Sequence, residues 1–190
     1  MPNNTLIFLR HAETKVDENT VISKWMLTDK GQKDALDVFK SDLFHDVDII
    51  ISSGEEKAFQ TAYPLSQKLH KKIMREENLN EISRDLGKFL KPKEKYLRTM
   101  KLCVENRTQS FNNWETANRA LKRFSKAIHE IDSNYSNKKI LIVTHGGVIN
   151  LYFAKVLERL DKIFDRFLSN TFCDYGIIYN SKVIKDIARI

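Results

Sequence analysis

Three short apolar runs punctuate the chain: Leu6 to Leu9 (LIFL), Val47 to Ile51 (VDIII) and Ile140 to Val143 (ILIV). Each is brief and rich in branched residues. Near-continuous apolarity predicts strands buried on both faces, as in a parallel sheet covered by helices. Helical patterns lie between them. Thr28 is placed to cap a helix ending near Phe39. Glu55 to Leu69 reads as a helix that Pro64 kinks or interrupts. Trp114, Ala117, Leu121, Phe124, Ile128 and Ile131 recur at three- and four-residue spacing, which predicts an amphipathic helix. A further helix follows Gly147 to about Leu157, and Arg159 to Leu168 predicts another. Tyr175 to Tyr179 and Val183 to Ile187 read as two strands joined through Asn180 and Ser181. Alternation of strand and helix predicts an α/β fold, a three-layer α/β/α sandwich around a mostly parallel central sheet.

Charge changes the picture in one region. The chain carries 32 Lys and Arg against 25 Asp and Glu, a net +7 over 190 residues. Residues 71–107 hold eleven of the cations and six of the anions, so +5 sits there. With Gly87 and Pro92 inside it, this stretch shows little helix signal. The expected organisation is a single domain over 1–190 with a small excursion or lid at about 71–112.

Composition excludes several classes. No apolar run approaches the ~18 residues of a membrane span, and the polar start, Met1 to Thr5, predicts no signal peptide. Two cysteines, Cys103 and Cys173, make no disulfide framework and fit a cytoplasmic protein. None of the six glycines stands in a nucleotide-binding loop pattern, and no metal-ligand spacing occurs, so neither cofactor nor metal is expected.

The candidate chemistry lies at the strand ends, where open α/β sheets bind ligands. The first strand ends in Arg10-His11, the second in Ser52-Ser53 with Lys57 beyond, and the third in Thr144-His145-Gly146-Gly147. Two of the five histidines thus share a crevice with cations, and a helix starting at the paired glycines offers free N–H groups to an anion. A neutral imidazole held by its other nitrogen is able to attack phosphorus. An arginine fork binds phosphoryl oxygens, a second histidine holds the developing charge, and a carboxyl group protonates the leaving alcohol.

Five ordered segments carry a resemblance. Leu9-Arg10-His11-Ala12-Glu13-Thr14 resembles the RHG-type signature of the histidine phosphatase superfamily, which includes the phosphoglycerate mutases. Leu27-Thr28 with Gly31 and Ala35 resembles its LTxxGxxQA segment, and Ser52-Ser53 with Lys57-Ala58-Phe59-Gln60-Thr61-Ala62 its SSxxxRAxQTA segment. Leu79-Asn80-Glu81-Ile82 resembles the segment that supplies the acid, and Val143 to Ile149 the VSHGGVI segment. The resemblance implies a phosphoglycerate mutase-like fold and metal-independent phosphomonoester hydrolysis through a phosphohistidine intermediate. It implies His11 as nucleophile, Glu81 as general acid and base, and His145 with Arg10 holding the phosphoryl group. Gly146 would donate its N–H, and Thr14 would contact the phosphate.

This chain departs from the pattern at Ala12, for glycine, and at Asp17, for asparagine, which therefore receives no binding role. It departs most at Lys57, for the second arginine: lysine keeps the charge and loses the planar fork. Arg84, three residues past Glu81, is the expected compensation, so Arg10, Lys57 and Arg84 would bind phosphate jointly. His45, His70 and His129 match nothing and read as surface. Glu115 reads as a first-turn glutamate favoured by the helix dipole, and Trp114 as core. The expected partner is a small phosphorylated substrate, with no membrane. Only Phe89 and Tyr96 interleave the basic stretch, which argues against nucleic acid. Two alternatives stay open: mutase-type phosphoryl transfer, and a phosphate-binding module of the same fold that hydrolyses nothing.

Overall fold

In a computed structural model the described residues are 2–189; Met1 and Ile190 fall outside them. The sheet has six strands, in chain order β1 (Thr5–Arg10), β2 (Ile49–Ser53), β3 (Ile73–Glu76), β4 (Lys139–Thr144), β5 (Tyr175–Tyr179) and β6 (Lys182–Lys185). Their spatial order is β3-β2-β4-β1-β5-β6. The first four are mutually parallel, β5 pairs antiparallel with β1, and β6 pairs antiparallel with β5 at the edge. The sheet is therefore mostly parallel, as expected.

Alternate side chains of each strand enter opposite layers. Ile7, Leu9, Ile50, Leu141 and Val143 face α1 (Asp29–Val38) and α2 (Glu56–Leu69) through Phe39, Ala58, Ala62 and Leu65. Leu6, Phe8, Ile51, Ile140 and Ile142 face the other layer. That layer holds α3 (Lys93–Glu105), α4 (Ala117–Asn134), α5 (Gly146–Val156) and α6 (Ile163–Ser169). Two cores on one sheet make the three-layer sandwich. Thr28 caps α1 by accepting from Gly31 N–H, and Thr116 caps α4.

Three local expectations change. Pro64 lies inside α2 without ending it, because Ala62, Leu65 and Ser66 stay buried on the same face. Trp114 is buried but precedes α4 rather than opening it. The basic excursion contains the edge strand β3 and the helix α3, which the charge count concealed. Met100, Cys103 and Val104 of α3 sit in the main core, while Lys93, Lys95, Arg98 and Lys101 face water. That is an amphipathic helix with a strongly basic outer face. Lys88 and Lys91 are exposed as well.

Candidate active site

The sheet register builds the centre of the site. Arg10 is paired with Thr144, and the His11 N–H donates to the Thr144 carbonyl at 2.9 Å, so His11 and His145 leave adjacent strands side by side. Their ring centroids are 5.1 Å apart. His11 Nδ1 lies 2.7 Å from the carbonyl oxygen of Ala12, which only accepts. Nδ1 therefore carries the proton and Nε2 keeps its lone pair. Burial, then His145, Lys57 and Arg10, hold the His11 pKa well below the usual histidine range. Ala12 is not among the residues with positive φ, so replacing the family's glycine costs no backbone strain.

His145 is fully buried. Its Nε2 stands 2.7 Å from Ser53 Oγ and 3.4 Å from Glu55 Oε1, and its Nδ1 has no partner among the described residues. Burial, followed by Lys57, Arg84, Arg123 and Arg10, pushes its pKa well down. Arg10 Nη1 donates to the carbonyl and side-chain oxygens of Asn170, at 2.6 and 3.2 Å. Its Nε is buried and unpaired. Phe172 lies 4.7 Å from the guanidinium carbon and 5.6 Å from the His11 ring, forming a wall of the crevice. A Cβ at Gly146 would stand 3.1 Å from that same guanidinium carbon. Glycine lets Arg10 lie against the start of α5.

Lys57 is almost wholly buried. It donates to the Ile22 carbonyl at 2.8 Å and is ion-paired with Glu55. Burial lowers its pKa, with Glu55 opposing. Glu55 is a residue of this cluster that the sequence reading missed. Its signal was a carboxylate two residues before the lysine that replaces an arginine.

Glu81 corrects one expectation. The N–H groups at the start of α5 were read as an anion site for the ligand, but two of them serve the protein's own carboxylate. Glu81 accepts from Gly147 N–H at 2.9 Å, Val148 N–H at 3.1 Å and Ile82 N–H at 2.9 Å. A Cβ at Gly147 would fall 2.4 Å from Glu81 Oε1, so only glycine admits the carboxylate. The Gly146 N–H has no acceptor among the described residues and remains available. A second missed residue fixes the Glu81 segment. Arg123 of α4 donates to the carbonyls of Asn78, Asn80 and Glu81, at 2.8, 2.8 and 2.7 Å. Glu115 in turn accepts from Arg123 Nε and Nη2 at 2.9 and 2.8 Å. Glu115 lies before the cap of α4, so its role is this clamp and not the helix dipole. Nothing in the periodicity of α4 marked Arg123.

Arg84 reaches the same crevice. Its guanidinium carbon lies 5.3 Å from the Tyr96 ring and 5.6 Å from the Trp114 ring, and no carboxylate ion-pairs with it among the described residues. Burial opposes its charge, but Tyr96, Glu81 and Glu55 outweigh this and keep its pKa raised. Burial also raises the Tyr96 pKa. Tyr96 was missed because the helix carrying it was missed. A small cavity of about 60 Å³ opens between Ile22, Glu55, Glu81, Arg84 and Asp85. Thr14 forms a backbone bridge with Leu27. Asp17 accepts from Asn19 N–H and the Thr20 hydroxyl, a turn role. His45, His70 and His129 are exposed. Burial pushes the thiols of Cys103 and Cys173 up to about 11 and about 12, so both are inert.

The cluster thus presents a neutral imidazole lone pair on His11, an unpaired donor on Arg10, an unpaired ring nitrogen on His145, and a carboxylate at one side. That is a site for in-line attack on a tetrahedral anion. A family model described as histidine phosphatase superfamily (branch 1) matches residues 6–182. No curated protein matches the chain. Among solved structures, a mycobacterial glucosyl-3-phosphoglycerate phosphatase aligns with a TM-score of 0.76 at 17% identity, over 97% of this chain and 98% of that one. Bacillus stearothermophilus YhfR aligns with 0.75 at 22% identity, over 98% of each chain. Phosphoserine phosphatase from Entamoeba histolytica, in complex with phosphoserine, aligns with 0.73 at 19% identity, over 95% of this chain and 96% of that one.

Proposed function

The chain belongs to the histidine phosphatase superfamily, branch 1, and we propose on that premise that it hydrolyses small phosphomonoesters through phosphorylated His11, without a metal. The observation that carries this reading is the His11 ring. It is buried and neutral, has Nδ1 tied to a carbonyl, and has Nε2 free in a cluster that holds the unpaired Arg10 Nε and His145 Nδ1.

His11 Nε2 attacks phosphorus, the bond to the ester oxygen breaks, and Glu81, entering this step protonated, gives the leaving alcohol its proton. Arg10 Nε, His145 Nδ1, the Gly146 N–H, Lys57 and Arg84 hold the phosphoryl oxygens. Water then attacks the phosphorus on His11, passes a proton to Glu81, and inorganic phosphate leaves with the nitrogen–phosphorus bond broken. Glucosyl-3-phosphoglycerate and phosphoserine, the substrates named for two structural relatives, mark the class of ester to assay first. Free, buried Cys103 and half-buried, unpaired Cys173 support a cytoplasmic setting. No helix among the described residues is long and apolar enough to cross a membrane.

The test is turnover of an aryl phosphate with a chelator present. Wild type releases inorganic phosphate, and His11→Ala loses at least about a thousandfold in kcat/KM. No release by wild type, or equal release by the variant, overturns the reading.

A further inference from the structure

The buried carboxylate of Glu55 has no part in the scheme above, yet it touches three of its members. It is 6% exposed and stands at the N-terminal cap of α2. Oε2 pairs with Lys57 Nζ. Oε1 accepts the Glu81 N–H at 2.7 Å and lies 3.4 Å from His145 Nε2.

His145 explains why an anion is useful there. A neutral imidazole has one proton for two nitrogens. With the proton on Nε2, the Nδ1 lone pair faces the phosphoryl oxygens. With the proton on Nδ1, a lone pair faces the Glu55 carboxylate, and only the Ser53 hydroxyl is able to donate to it. A doubly protonated ring satisfies both sides. The titratable and charged groups around this ring are Glu55 and Lys57 from α2 and its cap, Arg10 from the end of β1 with His11 just past it, Arg84 and Glu81 from the irregular chain before α3, and Arg123 from α4. Without ligand, burial first and then the cations hold the ring neutral. A bound dianion offsets them. Glu81 has both oxygens on backbone N–H groups, which leaves Glu55 as the carboxylate within reach of Nε2.

We propose that Glu55 is a positioning residue that acts through His145: it lets the ring take up a second proton when the phosphoryl group binds. Nε2–H then points at Glu55 and Ser53, and Nδ1–H at a phosphoryl oxygen. The proton comes from solvent. The same carboxylate tethers Lys57, so glutamate and lysine together stand where the family has one arginine. This inference rests on the phosphatase reading and extends it.

The experiment is calorimetric titration with tungstate, a fully ionised tetrahedral dianion, in buffers of differing ionisation enthalpy. Wild type at about pH 7.5 takes up about one proton per tungstate, and Glu55→Gln takes up close to none. The glutamine still accepts the Glu81 N–H, and a thermal melt checks its fold. Nitrogen-15 shifts of the imidazole assign the proton to His145. A wild-type His145 that stays neutral in the complex, or a glutamine variant with unchanged uptake, overturns the proposal. If Glu55→Gln does not fold, the wild-type ring decides alone: two protonated nitrogens support the proposal and one defeats it. A wild type that neither binds tungstate nor hydrolyses an aryl phosphate fails the phosphatase reading itself. One that does both with a neutral His145 fails only the Glu55 inference.

Discussion

His11 and His145 each follow the last residue of a sheet strand, whereas Glu81 and Arg84 sit on chain that has neither strand nor helix from Asn80 to Pro92. The histidines inherit their places from the register of β1 on β4, a ladder of backbone bonds inside two cores. Glu81 and Arg84 are held by side chains from elsewhere: Arg123 of α4 on three carbonyls, and Tyr96 and Trp114 against the Arg84 guanidinium. One half of the site is part of the scaffold. The other half is fastened to it. His11, Arg10 and His145 therefore belong to the rigid part, and Glu81 and Arg84 to the part that a single distant substitution is able to release.

Arg123→Met should break that contrast most sharply. It removes the clamp on Asn78, Asn80 and Glu81 while leaving the strand ends in place. We expect kcat to fall about 10- to 100-fold, the scale of a misplaced catalytic group, with KM little changed. Steady-state kinetics on an aryl phosphate checks this, and an equal fall in kcat/KM through KM alone contradicts it.

Arg84→Ala sharpens the comparison from the binding side. If Arg84 completes the phosphate site that Lys57 leaves short of a fork, tungstate affinity falls about tenfold, the scale of one charge-assisted hydrogen bond. Unchanged tungstate affinity and turnover remove Arg84 from the site.

The smallest effect concerns the rigid half and pH. His11 and His145 both have folded pKa values well below the ordinary 6.5. The unfolded chain then binds more protons than the native one as pH falls through about 6.5, so stability is full above that value and declines below it. The slope is at most ~1.4 kcal/mol per pH unit for each histidine until the folded pKa is reached. Melting temperatures between about pH 7.5 and 5 should fall, and less steeply in His145→Asn than in wild type. An identical slope in both proteins assigns the acid sensitivity elsewhere.

The comparison also explains what was legible in the sequence. LIFL, VDIII and ILIV announce buried strands because a strand covered on both faces must be apolar throughout, and Arg10, His11, His145 and Gly146 follow them directly. Glu81 was legible only as a short motif. Its partners at Gly147 and Val148 lie 66 and 67 residues away, and no local pattern reports such a bond. The helix α3 was obscured because its outer face carries the charge that makes the chain basic, although Tyr96, Leu97, Met100, Cys103 and Val104 keep helical spacing.

By itself the sequence determined the strand-and-helix alternation, the two histidines at strand ends and the family they announce. Periodicity and motifs are local, and these features are written locally. The tertiary structure alone decided that Glu55 lies between Lys57, Glu81 and His145, that Arg123 clamps the acid, and that Tyr96 and Trp114 cradle Arg84. Those contacts depend on how layers stack and where irregular chain crosses the sheet edge, and hydrogen bonds between distant residues leave no periodic trace.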